Sequence, residues 1–368
     1  MDIIKGADIS SLLEIEKAGG KFYDRGKQED LYVILARYGI NYVRLRLWND
    51  PYSMEGIPYG AGTNDLEAVK ELAKRAKAHG MKVLLDYHYS DFWADPGKQI
   101  PPKAWQGKTV DGLEKAVYDY TADTLEELES EGIVPDMVQV GNEVTNGLLW
   151  PYGRKPEFEN IARFISAGIR AVRKSAPAAK IMLHLDNGGR NDLYREWFDN
   201  YVRRGEDFDI IGLSYYPFWH GTMEALKNNM DDIAVRYGKD LVIAEVSMGF
   251  TMEDYASYEG LAPEERKGMA TKPELAARIE HPMTVQGQCD FLKDLFQIID
   301  KVPDGHGKGF FYWEPAWIPV HGCEWATPAA LEYTGEKGPG GNEWANQALF
   351  DYDGNSLPSL EVIRDWSK

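Results

Sequence analysis

Short aliphatic and β-branched runs recur along the chain at Ala7–Ser10, Tyr42–Trp48, Lys82–Tyr89, Met137–Glu143, Lys180–Asp186, Asp209–Tyr216, Leu241–Ser247 and Gly309–Trp313. Several, such as "VLLDY" and "LVIAE", are nearly continuous in apolar character, which suits parallel strands covered on both faces better than the alternation of a half-exposed sheet. Helical spacing lies between them. Leu66, Val69, Leu72, Ala73 and Ala76 share one face, with Thr63 and Asn64 placed to cap the start and Gly80 to take the left-handed stop. Leu113, Ala116, Val117, Tyr120 and Leu128 lead to Gly132, and Phe158, Ile161, Ile165, Ile169 and Val172 run toward Pro177. Leu193, Trp197, Phe198 and Val202 precede Gly205, and Phe291, Leu292, Leu295 and Ile299 follow the same pattern.

Strand then helix, repeated without a Pro/Gly/Ser-rich linker, predicts a closed (β/α)₈ barrel forming a single domain over residues 1–368, with elaborated loops after the strands. An open doubly wound sheet is the competing topology, but it usually carries a Gly-rich phosphate turn after its first strand, and "ADISSLLEIEKAGG" has none. In a barrel, function sits at the carboxyl ends of the strands.

Two runs end there in glutamates. "MVQVGNEVTNG" carries Asn142 and Glu143 past the fourth run, and "LVIAEVS" carries Glu245 at the end of the seventh. Folding alone gives no reason to end an apolar strand in a carboxylate, whereas glycosidic cleavage needs two of them. One protonates the leaving oxygen, and the other attacks the anomeric carbon or activates water. A separation of about 5 Å means a covalent intermediate and retention, and roughly 6.5–9.5 Å means inversion. A salt bridge or helix cap is the alternative use of either residue alone.

Aromatic placement supports a sugar groove. Of 11 tryptophans, Trp48, Trp93, Trp105, Trp150, Trp219, Trp313, Trp317, Trp325 and Trp344 fall at strand ends or in the segments after them, leaving Trp197 and Trp366 on helices. Flat rings stack on the apolar faces of pyranoses, while hydroxyls need Asp, Asn and His around them. His88, His184 and His220, with Asp86 and Asp186, suit that second task. A metal centre on the same residues is the rival reading; it calls for a His-x-His on the first run, which instead reads "ADIS". Asp8 and Glu314 are further strand-end carboxylates, placed either to contact substrate or to support residues that do.

A net charge of −18 repels phosphate backbones and anionic lipid surfaces, leaving a neutral ligand as the better partner and no role for nucleic acid or membrane. Cys289 and Cys323 lack a Cys-x-x-Cys spacing and read as free thiols, with one disulfide as the alternative. "MDIIKGADIS" has no basic and apolar export signal, so the protein is cytoplasmic as written, or extracellular or at the cell surface after removal of a leader.

Taken together, "KGADISSL", "YVRLRLW", "DYHYSDFWADPGKQ", "PKAWQ", "VQVGNE", "SYYPFWHG", "MTVQGQ", "FYWEPAWIP" and "NQALFDYDGNSLPSL" make nearly the whole chain resemble glycoside hydrolase family 53, the arabinogalactan endo-β-1,4-galactanases. The resemblance implies a retaining (β/α)₈ glycosidase acting as a monomer on β-1,4-galactan, the neutral side chain of pectic polymers, without a catalytic cofactor. Glu143 would be the acid/base and Glu245 the nucleophile, and Asn142 would bond the sugar 2-hydroxyl. Arg46 would hold the nucleophile ionised, with Arg44 beside it on the same side of the strand in a bare ion pair, and Tyr216 would stand near the same carboxylate. Asp86, His88, Trp93, Asp186, His220 and Trp313 would complete the substrate site. A related glycosidase on another β-linked glycan, or a non-catalytic sugar-binding barrel, remains the alternative. Two departures from the family pattern are visible. The stretch 251–282 lacks the closely alternating oxygen ligands of the calcium loop that some relatives carry, and Met248 and Gly249 stand where an aromatic often follows the nucleophile.

Overall fold

The computed structural model describes residues 3–253, 271–337 and 340–367. Eight strands run β1 Ile4–Asp8, β2 Tyr42–Leu47, β3 Lys82–Tyr87, β4 Met137–Val140, β5 Lys180–Leu185, β6 Ile210–Tyr215, β7 Asp240–Val246 and β8 Gly307–Trp313. Each pairs in parallel with its neighbours, and β8 pairs with β1 to close the barrel. The helices following the strands are α1 Leu31–Arg37, α2 Leu66–Ala78, α3 Val110–Ser130, α4 Phe158–Ser175, α5 Asn191–Tyr201, α6 Met223–Tyr237, α7 Val285–Lys301 and α8 Ser359–Asp365. A short hairpin, Phe22–Asp24 with Lys27–Glu29, stands apart from the barrel. Among the described residues no helix is long and apolar enough to cross a membrane.

Strand alternation separates two cores. Val43, Leu45, Val83, Leu85 and Tyr87 point outward and join the layer packed under the helices. Their neighbours Tyr42, Leu84, Met137, Met182, Ile210, Val242 and Phe311 fill the barrel floor. The floor is tight. A Cβ added at Gly6 would lie 2.2 Å from the Phe311 ring, so glycine there makes room for the aromatic plug. Further along β1 to β6 the same inward face turns polar, presenting Asp8, Arg44, Asp86, Gln139, His184 and Ser214, all completely buried. Hydrophobic burial at one end of the cylinder thus carries the cost of a charged layer at the other.

One irregularity decides where Glu245 points. Leu213 pairs with Ile243, but the next residue, Ser214, pairs with Glu245, so Ala244 is an extra residue in β7. The other side agrees: Phe310 pairs with Ile243 and Tyr312 with Val246. Val242 and Ala244 already face the barrel interior, and simple alternation would next send Val246 inward. The bulge shifts the phase and brings Glu245 inward instead.

Strand ends and helix caps differ in detail from the sequence reading. The first strand starts at Ile4 rather than Ala7, and the fourth stops at Val140, where Gly141 adopts φ 84° and turns the chain out of the sheet. Asp65, not Thr63 or Asn64, caps α2 by accepting from the Ala68 N–H, and Asn64 instead bonds the Ser10 carbonyl. Gly80 takes the expected left-handed stop at φ 75°. Three barrel helices escaped the periodicity reading. α1 and α8 each have only 7 residues, and α6 breaks its apolar face with the buried Asn229. Cys289 and Cys323 are buried and unpaired. Of the stretch 251–282, where some relatives carry a calcium loop, residues 254–270 lie outside the described residues.

Candidate active site

The carboxyl ends of the strands open into a cavity of about 490 Å³ whose wall includes Asn142, Glu143, Asp186, Tyr216, His220 and Glu245. Glu143 lies two residues beyond the turn at Gly141, in the left-handed region at φ 45°, ψ 51°. A non-glycine residue there costs on the order of 1–3 kcal/mol, a cost tolerated when the surrounding contacts fix the conformation. A carboxylate oxygen of Glu143 and one of Glu245 lie within 4.8 Å of each other.

Their surroundings differ. Burial pushes the Glu143 carboxyl well above its ordinary range, and repulsion from Glu245 and Asp186 pushes it further; the Ser214 hydroxyl, donating to Oε1 at 2.6 Å, opposes this. Burial also raises Glu245, but Arg44 Nη1 sits 2.9 Å from its Oε1 and the Tyr216 hydroxyl donates to its Oε2 at 2.8 Å, both favouring the anion. Of the two, Glu245 ionises first and Glu143 keeps its proton.

Arg44 is the hub beneath the pair. Its guanidinium contacts Asp8 at 2.9 Å, Asp86 at 2.8 Å and Glu245 at 2.9 Å, donates to the Asn142 side-chain oxygen at 2.8 Å, and is fully buried. Arg46, expected to hold Glu245, does not reach it. Its Nη1 lies 2.6 Å from Glu314 and 3.3 Å from Asp8, and its plane stacks on Trp93 with the central carbon 4.4 Å from the ring centroid. The reason is height along β2: the inward position one pleat nearer the floor lies level with Glu245 once the bulge has shifted β7. Arg46 also stands outside the cavity wall, at 1 % exposure, where it supports Trp93 and Glu314.

Asp86 and His88 also stand back from the cavity. Both are buried behind the wall, where His88 Nε2 donates to Asp86 Oδ2 at 3.1 Å and its Nδ1 accepts from the Ala94 N–H at 3.1 Å. Burial opposes ionisation of Asp86, but Arg44 and His88 outweigh it and hold the carboxyl below its usual range. Asn142 reaches the cavity while its oxygen accepts from Arg44 and Gln139 and its nitrogen donates to the Ala94 carbonyl at 2.9 Å. Asp186 reaches it too, accepting from the Thr145 hydroxyl at 2.5 Å and from the Asn187 amide. His220 also lines the cavity, beside the segment after β5, and is pushed down to about 4 by burial and hence neutral. The rival metal reading meets occupied imidazoles: both His88 nitrogens are bonded as above, and His184 contacts Ser214 Oγ at 2.8 Å through Nε2 and Gln139 Nε2 at 3.1 Å and Asn142 Oδ1 at 3.0 Å through Nδ1.

Six tryptophans supply much of the rest of the wall: Trp93, Trp219, Trp313, Trp317, Trp325 and Trp344. Trp313 packs 4.8 Å from Trp344 and 6.0 Å from Trp93, and the Trp93 indole N–H donates to the Trp325 carbonyl at 3.0 Å, so the rings hold one another in place. Trp48 and Trp105 are instead part of the core. Phe250, the aromatic nearest after Glu245, is buried against Tyr352 with ring centroids 5.4 Å apart and stands outside the cavity wall. Sequence reasoning passed over Ser214, Gln139, Asp95, Asn187 and Glu343. The period-two pattern of β6 could have found Ser214, two residues before Tyr216; the loop residues left no such signal.

Known proteins resemble this chain over almost its whole length. The model of glycosyl hydrolase family 53 matches residues 4–363. An endo-β-1,4-galactanase of Bacillus subtilis (strain 168) is 39 % identical over 382 residues, covering 99 % of this chain and 86 % of the relative. Among solved structures, a family 53 catalytic domain from Ignisphaera aggregans superposes with a TM-score of 0.89 at 39 % identity, over 99 % of this chain and 96 % of that one. A fungal β-1,4-galactanase structure gives 0.79 at 31 % identity, over 99 % of each chain. With a family match across almost its whole length, and relatives this similar over nearly all of it, the chain belongs to glycosyl hydrolase family 53.

Proposed function

We propose that this protein is an endo-acting, retaining β-1,4-galactanase, cleaving the galactan side chains of pectin by double displacement. The observation that carries this reading is the pair of carboxylate oxygens within 4.8 Å at the ends of β4 and β7, beneath a tryptophan-walled cavity. That spacing suits a retaining pair, whose carboxyl groups stand about 5–5.5 Å apart, and leaves too little room for the water of an inverting enzyme. The substrate follows from the relatives named endo-β-1,4-galactanase and from a cavity whose acidic wall and −18 net charge favour a neutral polymer.

In the first step Glu245 Oε attacks the anomeric carbon while Glu143 gives its proton to the departing glycosidic oxygen. The carbon–oxygen bond to the leaving sugar breaks as the glycosyl ester to Glu245 forms. In the second, Glu143, now ionised, takes a proton from water, whose oxygen displaces Glu245 and restores both carboxyls. Asn142, held by Arg44 and Gln139, is placed to bond the sugar 2-hydroxyl, and Trp313 and its neighbours present flat faces to the pyranoses. Every proton and electron pair is handled by these side chains, so we assign no cofactor to catalysis, and we read residues 1–368 as one catalytic domain working as a monomer on neutral polysaccharide.

Incubation with linear galactan, mannan and xylan, followed by product sizing, tests the reading. Oligosaccharides from galactan alone, of steadily falling length, are expected. Cleavage of mannan or xylan in preference, release of monosaccharide only, or binding without cleavage would overturn it.

A further inference from the structure

One fully buried polar arrangement behind the acid/base carboxyl is left unused by the mechanism as described. Ser214 sits on the inward face of β6, two residues before Tyr216, and its hydroxyl donates to Glu143 Oε1 at 2.6 Å. Behind it, His184 Nε2 lies 2.8 Å from the same hydroxyl oxygen, and His184 Nδ1 lies 3.1 Å from Gln139 Nε2. Serine has one proton to give. While it goes to Glu143, the imidazole donates from Nε2, leaving Nδ1 to accept from Gln139 Nε2 at 3.1 Å beside Asn142 Oδ1 at 3.0 Å, an acceptor that Arg44 and Gln139 already satisfy.

We propose that Ser214, backed by His184, is the positioning residue for Glu143: it occupies Oε1, so that the catalytic proton is carried on Oε2, and it holds the ionised form between the two chemical steps. This rests on the assignment of Glu143 as acid/base. The need for such a donor is electrostatic. Glu143 faces Glu245 from β7, Asp186 just past β5, Asp95 from the segment after β3, Tyr216 just past β6 and Tyr194 from α5, none of them a cation, while Lys98 in the same cavity wall is paired with Asp95 and Glu336 at 3.1 Å each. His184 itself faces Arg44, Asp86, His88 and His220, and burial drives it well below its ordinary range, so it stays a neutral donor across the working pH. The Ser214 hydroxyl therefore favours the Glu143 anion against burial and three carboxylates.

The test compares Ser214→Ala, Ser214→Thr and His184→Gln with the parent enzyme, using aryl β-1,4-galactobiosides that carry either a nitrophenolate or a poorer phenolate leaving group. Loss of a hydrogen bond to a charged group raises the Glu143 carboxyl, so in Ser214→Ala the alkaline limb of kcat/KM moves up by about one pH unit. A reagent that departs without a proton is spared: kcat/KM falls about tenfold for the poor leaving group and at most twofold for nitrophenolate, with KM unchanged. His184→Gln shifts the limb the same way by less, and Ser214→Thr, which keeps the hydroxyl, restores it. An alkaline limb unmoved in both Ser214→Ala and His184→Gln, or equal losses on the two substrates, overturns the proposal. Should Ser214→Ala not fold, His184→Gln decides alone. A Glu143→Gln control separates this from the parent reading: if it keeps an alkaline limb, Glu143 is not the acid, whereas a limb lost there and unmoved in Ser214→Ala sinks only the role of Ser214.

Discussion

Replacing Tyr216 by phenylalanine removes one atom from beside the nucleophile and leaves the rest of the site standing. The ring is buried, packed 5.2 Å from Trp344 and 6.3 Å from Trp313, and phenylalanine keeps those contacts. What goes is the hydroxyl that donates to Glu245 Oε2 at 2.8 Å. A hydrogen bond to a charged group contributes about 1.5–3 kcal/mol, which at about 1.36 kcal/mol per pH unit would raise the Glu245 carboxyl by about one to two units. Arg44 remains 2.9 Å from the other oxygen, and the cavity lets water approach the vacated place, so about one unit is the better figure. The sign follows from the role. Glu245 attacks as an anion, so raising its pKa moves the acid limb of kcat/KM upward; below that limb the variant is about tenfold slower than the parent enzyme, and on the alkaline side the two converge. The assay is initial-rate hydrolysis of soluble linear galactan from acid to alkaline pH, with thermal unfolding recorded alongside. An acid limb that stays in place while the variant remains folded would refute the claim that this hydroxyl holds the nucleophile ionised.

Other expectations follow from the same contacts. Arg44→Lys should move the acid limb up and lower kcat, because one ammonium cannot serve Asp8, Asp86 and Glu245 together, whereas Arg46→Lys should leave that limb unmoved and disturb binding through Trp93; pH–rate profiles of the two separate them. Trp219, 41 % exposed at the cavity edge, can be cut to alanine with little change in unfolding temperature, while KM for long galactan rises by about three- to tenfold, as steady-state kinetics would show. Burial raises Glu314 to about 7 against the pull of Arg46, above the roughly 4.3 of an unfolded glutamate. The folded state therefore holds a proton that the unfolded chain releases, and this stabilisation, complete below the unfolded value, is lost as pH rises through 7. Relative to Glu314→Gln, the unfolding temperature of the parent enzyme should fall between pH 5 and pH 8; a constant difference would contradict it.

Much of the barrel was legible because its strands are short, apolar and regularly spaced, and Glu143 and Glu245 stood out as carboxylates ending apolar runs. What escaped was three-dimensional phase. β2 offers Arg44 and Arg46 on one face, and no pattern within β2 says which lies level with Glu245. That depends on Ala244, an extra residue in a different strand, and no one-dimensional pattern within "LVIAEVS" marks it. Asp86 and His88 were likewise read as substrate contacts because they end a strand, yet the loop through Trp93 and Ala94 folds over them and takes the cavity wall for itself. The tryptophan bias was the better guide. It rests on a count rather than on register, and six of those loop and strand-end rings do line the cavity.

The central claim is that Glu245 becomes covalently bonded to the sugar while Glu143 moves the protons. A 2-deoxy-2-fluoro-β-1,4-galactobiosyl fluoride slows both steps but keeps a good leaving group, so the ester accumulates and can be found by mass spectrometry of the digested protein. The account predicts a single α-linked adduct on the peptide bearing Glu245, formed with inversion of the β-fluoride in this first displacement and absent in Glu245→Gln. A sugar attached to any other carboxylate, or an α-configured product from the natural polymer, would contradict it.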